Sequence, residues 1–366
     1  MRLDKFHSDL MKKIEERLDS QGIELFSEGD NAETAAKKIA KFYTDSIIAA
    51  AENISPIFYG NLVAEMPLTL EEERSETKDF EERLLKTWKE AFDYLEALII
   101  ATEELSTAFL EESNTTDEVY EEIDFLLKIH AKSIVIAKEI LRLLKSGFVD
   151  GAMARWRSLH EANVIFHVLS NTYTTDKKKF LIVKQRFLDY SKIDEYKRYV
   201  TDWKNEFSVE RKRHIEKERK IALETYGQKF GNNYGWAYPL VHEKQKEIYF
   251  NDLVKLADYQ RTNIHYKEAN HHVHISSAGI NESLSFMSFH DNSETLLYGP
   301  SNYGLSKPGQ LTSISLVQIT TRLLLLETNT DKFIHAAALK KFAEKCIDIF
   351  DETQTAIREV ELNRHE

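Results

Sequence analysis

Apolar residues recur every three to four positions along most of the chain, the signature of helices with one buried face. This spacing predicts helices over residues 4–19 and 32–53, the second stopping before Pro56. A loop to Pro67 follows. Thr69 then opens a long helix to about Glu112, with Glu72 three positions on completing a capping box. The first half of that helix (EEERSETKDFEER) is charged all round and reads as a solvated, salt-bridged face, while Ala91 to Leu110 carry the apolar stripe. Thr115 or Thr116 restarts the chain into a helix ending at Ser146 with Gly147 as its stop. Asp150 is a good cap for a central helix reaching Thr172. Residues 176–225 predict a further long helix or a broken pair, and Gly227 to Pro239 an aromatic, glycine-rich loop. A helix from about Asn251 runs into a histidine-rich segment, and the closing helices span 309–327 and 330–362. Only Ser283 to Phe289 alternates with period two, which predicts a small hairpin with Thr295 to Tyr298 around Asp291-Asn292. The expected fold is all-α, a multi-helix bundle with one small β-hairpin. Residues 1–115 are read as an N-terminal helical region and 116–366 as a helical core domain.

The central stretch (DGAMARWRSLHEANVIFHVLSNT) has almost no ordinary solvent face. At about 100° per residue, Leu159, Ala162, Ile165, Phe166 and Leu169 cover one side. The other gathers Trp156, Arg157, His160, Glu161, Asn163 and His167 with Met153 and Val164. Burying such groups unpaired costs several kcal/mol. They must therefore satisfy one another, line a wet cavity or meet a ligand. The plain structural reading of Arg157 and Glu161 is an i,i+4 salt bridge locking helices together, and Arg322 reads as another buried ion pair.

Composition narrows the class. Five Pro and twelve Gly in 366 residues leave the periodic runs almost free of breakers. The lone Cys346 excludes an intramolecular disulfide and a cysteine-based zinc site. The charged N-terminus lacks a signal-peptide core, and no apolar run reaches membrane-spanning length, so a soluble cytoplasmic protein is expected. A net charge of −12 argues against a coat of positive charge for duplex binding. Yet Asp176 to Lys220 hold fifteen Lys/Arg against nine Asp/Glu, a local +6 that leaves the remainder at −18. Two aromatic stripes run through that stretch, Phe180, Val183, Phe187 and Tyr190, then Tyr196, Tyr199, Trp203 and Phe207. Basic residues interleaved with aromatics suit single-stranded nucleic acid, but the same spacing is the ordinary core stripe of a helix. No P-loop, dinucleotide-binding glycine pattern or nucleophile elbow occurs, and no cofactor is expected.

A second cluster spans Tyr266 to His274. On one helix, Tyr259, Asn263, Tyr266, Asn270 and His274 would share a face, and Asp258, Arg261, His265, Glu268 and His272 another. Four histidines in ten residues invite a metal, but only Glu268/His271 forms a Glu-x-x-His pair where a di-iron bundle needs two. The reading adopted is no metal, with hydrogen-bonding or acid–base work for one or two of the histidines.

Arg157-Ser158-Leu159-x-Glu161-Ala162, the Gly235 to Pro239 segment and Tyr266-x3-Asn270-x3-His274 together resemble an uncharacterised bacterial family of unknown function. Its pattern is Arg-Ser-Leu-x-Glu followed by Tyr-x3-Ser-x3-His, and the resemblance covers roughly residues 120–340. Asn270 stands where that pattern has Ser, so this position supplies an amide in place of a hydroxyl. The resemblance implies one site containing Arg157, Glu161 and His274. Arg155 and His160 also match the Arg-x4-His spacing of HEPN-type ribonucleases, although Trp156 follows the Arg where a polar residue is usual. Arg155 also lies about 140° from His160 on a regular helix. That resemblance implies metal-independent RNA cleavage, with a His as base and an Arg stabilising the phosphate. The catalytic candidates are Arg157, Glu161, His160 and His274; Tyr266, Asn270, His167 and Arg155 are candidates for substrate binding. Two functions stay open: a metal-independent, toxin-like RNA-cleaving effector of a defence type, or a non-enzymatic helical sensor or scaffold whose polar cavity binds a ligand, a protein partner or a second copy of the chain.

Overall fold

Both prolines treated above as breaks lie inside one continuous helix, α1 (Ala32–Thr87). Proline removes a backbone donor and crowds the preceding turn, at a cost near 3 kcal/mol in a helix interior. At Pro56 the carbonyl left without its i+4 amide is that of Glu52, and the Ser55 hydroxyl turns back to it at 3.5 Å. Pro56 and Pro67 are exposed, so water can serve the freed carbonyls. Thr69 is likewise no cap: its hydroxyl donates to the Glu65 carbonyl at 3.2 Å within the helix.

The computed structural model describes residues 31–113, 117–201, 207–273, 299–327 and 329–365, with Lys12 and Glu16 besides. Most of the 4–19 helix and the whole Ser283–Tyr298 hairpin expectation fall outside the described residues. Two compact units divide at Phe80/Glu81. Nearly all the described residues of the first belong to α1, whose side chains there are mostly exposed.

The second unit, from Glu81, contains α2 (Lys89–Ser113), α3 (Asp117–Lys145), α4 (Val149–Thr175), α5 (Lys177–Asp189), α6 (Ser191–Thr201) and α7 (Val209–Tyr226). After two 3-10 turns come α8 (Phe250–Leu256), α9 (Asn263–Val273), α10 (Ser306–Leu324) and α11 (Thr330–His365). The fold is all-α, and no strand occurs among the described residues.

The α3–α4 corner follows its sequence signal. Gly147 takes φ 77°, its amide bonds the Leu144 carbonyl at 3.0 Å, and the Phe148 amide bonds Leu143 at 2.9 Å. This 5→2 and 6→1 pair is a Schellman stop, which needs a residue that enters the left-handed region freely. The cap of α4 is Phe148 rather than Asp150, which sits in the first turn where its charge meets the helix dipole.

Helix α4 is the centre of the second unit, packed against α3, α5, α9 and α10. Trp156, Leu159, Val164, Phe166 and Leu169 are fully buried. The Trp156 indole donates to the Leu311 carbonyl at 3.0 Å and Ser315 Oγ at 3.1 Å, tying α4 to α10. His130 of α3 reaches Thr320 Oγ1 of α10 at 2.8 Å. Gly309 lets α10 and α11 close together: a Cβ there would collide with the fully buried Phe350 ring. The same interface covers Cys346, whose thiol burial pushes up to about 12.

The 176–225 stretch is three helices rather than one or two. Its first stripe is core: Phe180 and Val183 are fully buried, and Phe187 meets the Trp236 ring edge-on at 5.1 Å. In the second, Tyr196 packs on Tyr199 and Tyr199 on Phe207, while Trp203 lies outside the described residues.

Candidate functional site

The polar side of α4 meets α9 through a three-membered cluster. Arg157 Nη2 donates to the Tyr266 hydroxyl at 2.8 Å, and that hydroxyl donates to Glu161 Oε1 at 2.8 Å. Arg157 and Glu161 also pair directly at 3.0 Å, with their side chains 28% and 33% exposed. The pair is thus half-buried rather than sealed. The guanidinium carbon stands 4.9 Å from the centre of the Tyr266 ring, adding a cation–π contact. Burial first, then the Glu161 carboxylate, push the Tyr266 phenol above its ordinary range. It stays a neutral hydrogen-bond relay at any physiological pH.

His160 sits one turn behind this cluster in an aromatic box. Its ring lies 5.3 Å from those of Trp156 and Tyr266 and about 6 Å from Phe250 and Tyr259. At 1% exposure, with Nε2 buried and unpartnered among the described residues, burial lowers its pKa to about 4. It is neutral at pH 7 and closed to a polymer's backbone. Arg155 is turned away from it and ion-pairs with Glu139 of α3. The Arg-x4-His pair is therefore two separate structural contacts.

His167, two turns on, donates from Nδ1 to the Asn163 carbonyl at 2.9 Å, and its ring lies tilted against that of Tyr259 at 4.6 Å. Because a carbonyl can only accept, Nδ1 carries the proton and Nε2 is left as an acceptor. Burial, helped by the Arg322 charge, lowers its pKa to about 4. Arg322 is not the ion pair its sequence context suggests. Its Nε donates to Ser170 Oγ at 3.0 Å, and Nη2 to the Ser170 carbonyl at 2.9 Å and Thr174 Oγ1 at 2.8 Å. The aliphatic neighbourhood hid these neutral acceptors of α4. His167, Tyr259 and Arg322 all line a pocket of about 760 Å³ bordered by α10 and α11.

The histidine-rich segment does not form one long helix. Asp258 enters the left-handed region at φ 59°, a 3-10 turn covers Gln260–Thr262, and only then does α9 start. Tyr259 therefore leaves the face of Tyr266 and Asn270 and joins the His160–His167 side. Tyr266 reaches the Arg157 cluster, and Asn270 lies on the same helix, partly buried. His274 lies outside the described residues. His272 pairs with Asp150 at 3.2 Å, and His265 with Glu268 at 3.7 Å. Burial would raise the Glu268 carboxyl, but the Lys307 ammonium bonded to it holds it below its usual range. Among the described residues no three His, Cys, Asp or Glu side chains converge as a metal site would require.

Among the buried residues that escaped the sequence reading is an arginine. Arg186, counted there only within the basic stretch, lies between the Tyr226 and Phe230 rings, about 5 Å from each. Its Nε and Nη2 donate to the carbonyls of Trp236 at 3.2 Å and Gly235 at 2.9 Å, pinning the 3-10 turn Gly235–Leu240. Its signal, a basic residue on the apolar stripe of α5, was present but not separable from its exposed neighbours.

Residues 124–294 match a family of unknown function, DUF5677. That agrees with the uncharacterised family suggested by the Arg-Ser-Leu-x-Glu motif and lends nothing to the HEPN resemblance. No curated protein and no solved structure matches the chain. Among the described residues, no helix is long and apolar enough to cross a membrane.

Proposed function

We propose that this chain is a non-enzymatic helical sensor or scaffold that binds a small molecule beside its central helix. One observation carries the reading. The groups on α4 best equipped for catalysis are engaged structurally, Arg157 and Glu161 with Tyr266 and His160 inside its aromatic box, whereas an open pocket of about 760 Å³ adjoins the same helix at His167. That volume lies within the usual range of small-molecule sites. A general base must reach the proton it removes, and His160 offers no such access.

The second reading, metal-independent RNA cleavage, has one supporting feature: Lys178, Lys179, Arg213 and Lys217 are exposed along α5 and α7. Incubating the full chain with structured and single-stranded RNA in EDTA separates the two. The sensor reading expects intact RNA at high protein concentration, and a small molecule that survives purification and leaves on denaturation, seen by native mass spectrometry. RNA cleavage that persists in EDTA and disappears in a stably folded Arg157→Lys or His160→Phe variant would replace it.

A further inference from the structure

We propose that the pocket between α10 and α11 takes an amphipathic monocarboxylate, its head on Arg322 and its apolar body along the aliphatic walls. This deepens the ligand-binding reading above and rests on it. Arg322 has five N–H hydrogens, and Ser170 and Thr174 occupy those on Nε and Nη2. Both Nη1 hydrogens have no acceptor among the described residues. Nor does any carboxylate there lie within ion-pair distance of this guanidinium. A half-buried cation with neutral partners keeps its charge for whatever enters. At the same edge the Thr321 hydroxyl is buried without a hydrogen-bond partner. The walls running away from Arg322 include Ile314, Val317, Phe333 and Ala337. At the far rim Lys340 already faces Glu344 at 3.9 Å, so among the described lining residues Arg322 is the unopposed positive charge. The unopposed charge and the free Nη1 hydrogens suit a singly charged carboxylate, held by a charge-assisted hydrogen bond rather than a two-nitrogen fork. A phosphate monoester, with nearly two charges and three acceptors, would leave some of its charge and hydrogen bonding unmet.

The test is calorimetric titration of the full-length protein with decanoate, 1-decanol and decyl phosphate, each below its aggregation limit. Decanoate is expected to bind at least tenfold tighter than 1-decanol. Arg322→Gln should bring decanoate down to the level of 1-decanol. Because that variant also loses bonds to α4, Ala337→Phe provides an independent check. It fills the pocket from an exposed position, and should weaken both ligands without lowering the melting temperature. Equal affinity for decanoate and 1-decanol, or full decanoate affinity in either folded variant, overturns the proposal. Tighter binding of decyl phosphate overturns the carboxylate assignment. If no probe binds while RNA stays intact in EDTA, this ligand class fails and the sensor reading stands. RNA cleavage in EDTA removes both.

Discussion

Lowering the pH from 7.5 to 5 should destabilise this protein chiefly through three buried histidines. Burial lowers the pKa of His130, His160 and His167 to about 4. In the unfolded chain each returns to about 6.5. Between those values the unfolded state binds more protons, so stability rises with pH and is lost as pH falls. At pH 5 the linkage relation gives about 2 kcal/mol lost per histidine relative to pH 7.5, hence about 6 kcal/mol for three. That is comparable with the whole stability of many domains. Asp189 and Glu268, whose carboxyls are held below their usual range, add losses only at lower pH. Asp194, raised by burial, works in the opposite sense there. Urea titrations at half-unit pH steps would measure the slope. The expected wild-type slope near pH 5 approaches three protons. In His160→Phe, where a ring of similar shape fills the aromatic box, it should fall by one, sparing about 2 kcal/mol over the same range. A wild-type stability flat between pH 7.5 and 5, or a His160→Phe slope equal to wild type, would refute the reasoning.

Tyr266→Phe removes the hydroxyl shared by Arg157 and Glu161 but leaves their direct 3.0 Å contact, and water can reach the half-exposed pair. A loss of about 1–2 kcal/mol in chemical denaturation is expected, and no change would mean that the relay is idle. Arg186→Lys keeps the charge but cannot span the Gly235 and Trp236 carbonyls with a planar fork. It should cost about 2 kcal/mol and speed amide exchange across residues 228–240. Gly309→Ala gains about 1 kcal/mol of helix propensity and meets the buried Phe350 ring, where overpacking costs about 1–3 kcal/mol. The melting temperature should therefore fall, and a rise would show that α10 and α11 can separate freely.

What the sequence discloses depends on whether a residue's role is local. Gly147 announced the α3–α4 corner because a left-handed stop is set by its own backbone. Arg157 and Glu161 were legible as partners because helical spacing alone places them together. Pro56 and Pro67 misled because their cost depends on whether water and a neighbouring hydroxyl can serve the freed carbonyls. Asp258 broke the predicted 251–274 helix by entering the left-handed region, which Asp tolerates without the signature of a glycine. Arg186 and Arg322 were misjudged for a longer-range reason. Each is satisfied by acceptors far away in the chain, at Gly235 and Trp236 for one and at Ser170 and Thr174 for the other.

The covered thiol of Cys346 turns the α10–α11 interface into its own clock. No other cysteine competes for a reagent, and the sulfur is closed to solvent and protonated while the helices are packed. Modification by a disulfide reagent such as dithionitrobenzoate therefore proceeds only during the moments when the sulfur is uncovered. Its rate counts those openings directly. A molecule lodged between the same two helices would slow that count in proportion to its hold on them, without any label having been added to the protein.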